Sequence, residues 1–308
     1  MHDDTLSVRD LVKRFGSLVA LDHVSFDVRP GELFGFVGAN GAGKTTTMRI
    51  IMGVNAADAG EVRWGGATIG RDGRRRIGYM PEERGLYPKM ALLPQLVFLA
   101  RLHGMGPQEA YESSKRWIGR LGLSGREHSP IEALSHGNQQ RAQLAGALVF
   151  SPELAILDEP FAGLDPIAVD TMKEVLREES RRGMTIIFSS HQLELVEDTC
   201  DRVGIIRSGR MVAVGSLEEL SAHRLEELWV DAPAAPPSWA DGLEGVKVLE
   251  SEGTRLLLEL APGADDQAIL LRALATGPVA DFHRHRPTLS ELFRSAVSAP
   301  NEEESDVR

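Results

Sequence analysis

Four short stretches of the chain are apolar without a break: Leu33–Val37, Leu154–Leu157, Thr185–Phe188 and Val203–Ile206. Unbroken runs of this length predict strands buried on both faces, as in a parallel sheet covered by helices. Between the second and third runs, Val169, Met172, Val175 and Leu176 recur at helical spacing within residues 166–182. That spacing predicts an amphipathic crossover helix, and with its flanking strands a βαβ unit. Upstream, Val24, Phe26 and Val28 alternate with Ser25, Asp27 and Arg29 before Pro30-Gly31. Such alternation marks a half-buried antiparallel strand that ends in a turn.

Residues from about 90 to 150 carry no strand-like run. Pro107 follows Gly106 and opens residues 108–121, where Tyr111, Trp117, Ile118 and Leu121 fall on one face; the expectation is an all-helical insertion. Past Val214 the pattern changes. The Pro/Ala stretch 231–237 reads as a linker or loose loop. Val246/Val248 and Leu256/Leu258/Leu260 alternate around residues 251–254 as a hairpin, with helices expected near 265–275 and 288–297. The predicted organisation is an α/β domain over 1–225 with an antiparallel β portion and a helical insertion. A small α+β domain follows over 226–300, and the acidic tail 301–308 is expected to be disordered.

At 308 residues and 42% apolar content, such a chain buries ample core without disulfide or metal staples. Its single cysteine, Cys200, has no partner within the chain, which fits a reducing compartment. The 34 basic and 45 acidic side chains leave a net charge of −11, a poor balance for sequence-independent binding of nucleic acid. The basic turn at residues 71–76 lacks interleaved aromatics and reads as a solvated loop. No apolar run approaches the ~18 residues needed to span a bilayer, and Met1-His2-Asp3-Asp4 is acidic where a secretory signal is basic. The chain is therefore expected to be cytoplasmic.

The chemistry concentrates where these strands end. Gly38-Ala39-Asn40-Gly41-Ala42-Gly43-Lys44-Thr45 directly follows the run 33–37 and opens an apparent helix, the setting of a phosphate-binding loop. Its glycines permit backbone conformations in which successive N–H groups face one anion, and the helix N-terminus adds roughly half a positive charge. Lys44 would reach the β and γ phosphates of a nucleoside triphosphate, and the Thr45 hydroxyl would ligate Mg²⁺. The run 154–157 ends in Asp158-Glu159, able to hold Mg²⁺ and to take a proton from an attacking water, or alternatively a solvated acidic pair. The run 185–188 leads into His191, suited to the γ-phosphate, although one histidine after a strand is more often structural. Ser135 and Gly137 precede an apolar-periodic helix at 142–149, a second anion-receptive N-terminus that one triphosphate site hardly needs. An economical use is to complete the site of another copy.

With these motifs in this order, residues 5–225 resemble the nucleotide-binding subunit of an ABC transporter. The resemblance implies a P-loop NTPase core (ABC ATPase) that binds ATP and Mg²⁺. Phe15 corresponds to the aromatic stacked on adenine; Gly38, Asn40, Gly41, Ala42, Gly43, Lys44, Thr45 and Thr46 to the phosphate loop. Glu82 stands in place of the family's usual metal-associated glutamine. Ser135, Gly137 and Asn138 belong to the signature segment, here with His136 and Asn138 where glycine and glutamine are usual. Asp158 corresponds to the Mg²⁺-associated aspartate, Glu159 to the general base, Asp165 to the loop exchanged between subunits and His191 to the switch histidine. The family implies a head-to-tail dimer with two ATP molecules at its interface. It also implies separately encoded integral membrane subunits and a place on the inner face of the cell membrane. Residues 77–90 and the C-terminal extension resemble a bacterial subgroup that exports sodium, antibiotics or other hydrophobic compounds. Two other readings are a soluble ABC ATPase acting on ribosomes or DNA, which usually has two nucleotide modules or a coiled-coil insertion, and a slow nucleotide sensor. The segment 92–100 reads as insertion core and, with 83–90, resembles the docking groove for the membrane subunit. His283 and His285 alternate along one stretch without a supporting cluster of metal ligands.

Overall fold

The computed structural model describes residues 4–298 apart from 84, 223, 224 and 237. The acidic tail 301–308 lies outside the described residues. Along the chain run β1 (Leu6–Phe15), β2 (Leu18–Val28), β3 (Leu33–Val37), α1 (Lys44–Ile51), β4 (Ala59–Trp64), β5 (Ala67–Thr68), α2 (Arg71–Arg74) and β6 (Ile77–Met80). There follow α3 (Leu92–Leu102), α4 (Pro107–Arg120), α5 (His136–Leu148), β7 (Leu154–Leu157), α6 (Pro166–Arg181), β8 (Thr185–Ser190), α7 (Leu193–Thr199), β9 (Arg202–Arg207) and β10 (Arg210–Gly215). The C-terminal part holds α8 (Leu217–Ser221), β11 (Glu226–Asp231), β12 (Val246–Glu252), β13 (Arg255–Leu260), α9 (Asp266–Leu274), β14 (Asp281–His285) and α10 (Leu289–Ser298). The chain divides into two compact units, one reaching Leu217 and taking in the chain from Phe293, the other Glu218–Leu292.

In the first unit the four unbroken apolar runs form adjacent strands of a six-stranded sheet, ordered β10-β9-β3-β8-β7-β6. All neighbours are parallel except β10 on β9. Every residue of β3, β7 and β8 is buried, which is why these segments read as continuous and not alternating. β2 and β1 pair antiparallel in a second sheet, β2-β1-β4-β5. The ring of Phe26 on β2 stacks 5.4 Å from Phe34 and lies 5.3 Å from Phe36 on β3, tying the two sheets into one apolar core with Leu6, Met48, Ile156 and Ile187.

The segment between β6 and β7 is helical as expected: α3, α4, a short turn at Ile131–Ala133 and α5. Pro107 occupies the first turn of α4, where its missing N–H costs nothing. α5 runs so close to β6 that a Cβ on Gly78 would come within 2.3 Å of the Ala147 carbonyl oxygen.

The second unit is an antiparallel sheet in the order β12-β13-β11-β14. Leu228, Val230, Leu256, Leu258 and Leu260 pack with Trp239 and Ile269 in its own core. The expected hairpin is β12–β13. β11 has no clear strand signal in the sequence, because Leu228 and Val230 offer only two alternating apolar positions between acidic residues. The Pro/Ala stretch accordingly follows a central strand inside this unit and does not join the two units. The start of α10 is a capping box: Glu291 N–H donates to Thr288 Oγ1 at 3.2 Å, and Thr288 N–H donates to Glu291 Oε2 at 2.7 Å. His283 lies 3.0 Å from Asp281 and His285 3.2 Å from Glu291. Among the described residues no group of three or more His, Cys, Asp or Glu is placed to hold a metal.

Gly78→Ala drives a methyl group into a backbone carbonyl that cannot rotate away. It is expected to cost about 1–3 kcal/mol, read as a lower midpoint of chemical denaturation, whereas Gly70→Ala, with open space around it and an ordinary φ of −83°, is expected to leave the midpoint nearly unchanged.

Candidate functional site

Strand register brings the chemistry together. Phe36 and Val37 on β3 pair with Ser189 and Ser190 on β8, and Leu157 on β7 pairs with Phe188. The residues that follow Val37, Leu157 and Ser190 therefore emerge side by side at the carboxyl edge of the sheet, where open α/β sheets bind ligands. A cavity of about 480 Å³ opens there, lined by Phe15, Leu18, Asn40–Thr46, Glu82, Asp158 and Glu159, with Val19 and Ala20.

The loop after β3 is shaped for an anion. Gly41 and Gly43 have φ of +79° and +112°, conformations open to glycine at no steric cost, and Gly43 leads directly into α1. The Lys44 ammonium is buried: it donates to the carbonyls of Gly38 at 2.7 Å and Ala39 at 3.3 Å, and lies 3.9 Å from Glu159 Oε1. Phe15 is half exposed, with Lys13 5.4 Å from its ring and the exposed Leu18 on the same cavity wall. This is an apolar shelf at one end of a polar pocket.

At the other end, Asp158 Oδ1 accepts a 2.6 Å hydrogen bond from Ser189 Oγ, while its buried Oδ2 has no partner. Glu159 is buried and sits at φ +48°, a left-handed backbone unusual for a side chain of this kind and worth on the order of 1–3 kcal/mol of strain. Its N–H donates to Ser189 Oγ at 2.9 Å, and its carbonyl accepts from Gln140 Nε2 at 2.9 Å. His191 Nδ1 lies 3.0 Å from Glu159 Oε2. Tyr79, at the end of β6, is held above the ordinary phenol range by burial, with the Asp158 charge adding to it and a hydrogen bond to Arg49 opposing it.

Thus Phe15, Asn40–Thr46, Glu82, Asp158 and Glu159 share one cavity, Gly38 lies beneath Lys44, and His191 joins through Glu159. Ser135, Gly137, Asn138 and Asp165 do not line it. Ser135 caps α5, Asn138 is bonded to Arg141, and Asp165 caps α6. Two partners of the acidic pair went unassigned in the sequence: Ser189, which holds both Asp158 and Glu159, and Gln140. A serine at a strand end and a glutamine in a helix carry no distinctive pattern.

Residues 21–162 match the family described as ABC transporter, and residues 215–297 the ATP-binding protein DrrA1-3-like C-terminal domain. The uncharacterized ABC transporter ATP-binding protein YhaQ of Bacillus subtilis (strain 168) is 36% identical over 304 residues, covering 96% of this chain and 99% of its own length. The chain is an ABC transporter ATP-binding protein. Membership makes it an ATP-hydrolysing subunit that works with separate membrane components. The linearmycin resistance ATP-binding protein LnrL of the same organism is 36% identical over 221 residues, 71% of each chain. A solved ATP-binding subunit of an ABC transporter matches with a TM-score of 0.66 at 32% identity, covering 70% of this chain and 92% of its own. Among the described residues no helix is long and apolar enough to cross a membrane.

Glu159→Gln keeps the shape of the cavity but removes a carboxylate able to accept a proton. Hydrolysis is expected to fall by about 10²–10⁴, measured as phosphate release, with ATP affinity retained in a fluorescent-nucleotide titration.

Proposed function

We propose that this ATP-binding subunit powers an exporter by closing head-to-tail on a second copy around two ATP molecules. One observation carries the reading: the anion-receptive N-terminus of α5, with Ser135, Gly137 and Asn138, lies outside the cavity that holds the phosphate loop and both acids. A segment of this chemistry is useful to a triphosphate only if it approaches from another molecule. In this arrangement Phe15 supports the adenine, and Gly38, Asn40, Gly41, Ala42, Gly43, Lys44 and Thr46 hold the phosphates. Ser135, Gly137 and Asn138 of the second copy grip from the far side, and Asp165 lies between the copies. Loss of the γ-phosphate removes the bridge, so nucleotide state sets whether the pair is closed.

Thr45, Asp158 and Glu82 suit Mg²⁺. A buried carboxylate oxygen without a partner, Asp158 Oδ2, is the group that a cation would satisfy, and Mg²⁺ takes one or two carboxylates together with phosphate oxygens. When bound, the ion neutralises phosphate charge. Glu159 takes the proton of the attacking water, and His191, bonded to Glu159, orients toward the γ-phosphate.

The ATP-binding domain is assigned to residues 1–225, with a helical part at about 90–150, and the C-terminal domain, 226–300, to strengthening the pair or regulating turnover. The subunit acts at the inner face of the membrane, docked on integral membrane subunits. The cargo proposed is a hydrophobic compound or sodium; the direction, export, is supported by the likeness to a linearmycin resistance protein, since removal of a compound from the cell produces resistance.

The test is association. In a Glu159→Gln background, Mg²⁺ and ATP are expected to convert monomer to dimer in sedimentation velocity, and adding Ser135→Arg to abolish the conversion. A dimer that forms unchanged with Ser135→Arg overturns the two-sided grip.

A further inference from the structure

A line of buried amides runs from the segment after β6 to the backbone of Glu159. The Gly85 N–H donates to Gln143 Oε1 at 2.7 Å, Gln143 Nε2 donates to Gln140 Oε1 at 3.4 Å, and Gln140 Nε2 donates to the Glu159 carbonyl at 2.9 Å. Both glutamines are buried on α5, 3% and 7% exposed. The two ends impose the direction. A backbone N–H can only donate and a backbone carbonyl can only accept, so the orientation of each amide follows from its outer neighbour. Only a side chain carrying both a donor and an acceptor can occupy either middle place; a carboxylate would set oxygen against oxygen and bring a charge into a buried position.

Hydrogen bonds joined in series polarise one another in a low-dielectric interior. The middle contact, at 3.4 Å, is close to the limit for such a bond, so it is the joint at which the line lengthens or tightens. Its inner end holds strained backbone: Glu159 is left-handed, gripped by Ser189 from β8 and by Gln140 from α5. Such a conformation persists only where its surroundings over-determine it, and Gln140 is one of two buried side chains doing so. The outer end belongs to the same segment as Glu82, which lines the nucleotide cavity. α5 also runs close to the chain beyond Glu159: a Cβ on Gly163 would lie 2.7 Å from the His136 ring, and one on Gly137 would lie 3.4 Å from Leu164 Cδ2.

We propose that Gln140 and Gln143 are positioning residues that carry displacements of the segment around Gly85 to the backbone of Glu159 and hence to its carboxylate. This rests on the reading of Glu159 as the general base. A contact that shifts the segment, such as a docked membrane subunit, then alters hydrolysis without touching nucleotide.

A double-mutant cycle on the purified chain tests it. Methionine matches glutamine in length but neither donates nor accepts as an amide does. Gln140→Met and Gln143→Met are each expected to lower kcat about ten- to a hundredfold, as small misplacements of a catalytic group do, with KM for ATP within about twofold. The double variant should be no slower than the slower single, because a series broken once is already broken. Multiplying effects, or losses that appear in KM, would mean separate packing roles and overturn the proposal. Should Gln140→Met fail to fold, hydrogen exchange on Gln143→Met decides. Faster exchange in peptides covering 158–164, with β8 unchanged, supports the relay, and unaltered exchange there refutes it. Glu159→Gln run in parallel separates the two ideas: a parent-like rate in that variant removes the general-base reading, whereas the exchange result judges the relay by itself.

Discussion

The site depends on one buried ammonium. Lys44 is enclosed by the carbonyls of its own loop and faces Glu159 at 3.9 Å, so a single positive charge sits among Glu82, Asp158 and Glu159 on the cavity wall. Lys44 is the one cationic side chain among the residues lining the cavity, and so the one available there to the phosphates of ATP, which this family binds. The position of Lys44 follows from the left-handed glycines that bend the loop over the end of β3. The positions of the acids follow from the parallel register of β3, β8 and β7. Were the register to slip by one residue, Asp158 would lose Ser189 and the carboxylates would turn to the other face.

Glu159 shows how the fold accommodates strain beside the nucleotide cavity. The backbone is left-handed where an ordinary side chain resists that conformation, and it is held from two elements, β8 through Ser189 and α5 through Gln140. Through Gln140 the backbone of Glu159 is tied to α5, and through Gln143 to Gly85, three residues beyond Glu82.

Much of the architecture was legible because it is local. Continuous apolar runs named the buried strands to within a residue or two, and the glycine spacing before Lys44 marked the phosphate loop. Pro107 marked the start of α4 within its first turn. β11 escaped because its two inward residues stand between acidic neighbours, and β4 and β5 because they are polar and largely exposed. Gln140 and Gln143 carry no signal in the sequence. Their burial arises because α5 is covered on several sides, by β6, β7, α3 and α4, and such a helix has no polar face to betray which amides are inside.

The order of residues alone determined the strand cores, the phosphate loop and the acidic pair at a strand end, since each is a matter of neighbours a few positions apart. Tertiary structure alone decided that Ser189 would hold both acids, that Glu159 would be strained and that three amides would line up behind it. Those are pairings between segments distant in the chain, and their energies depend on distance in space and on burial, neither of which any local pattern encodes.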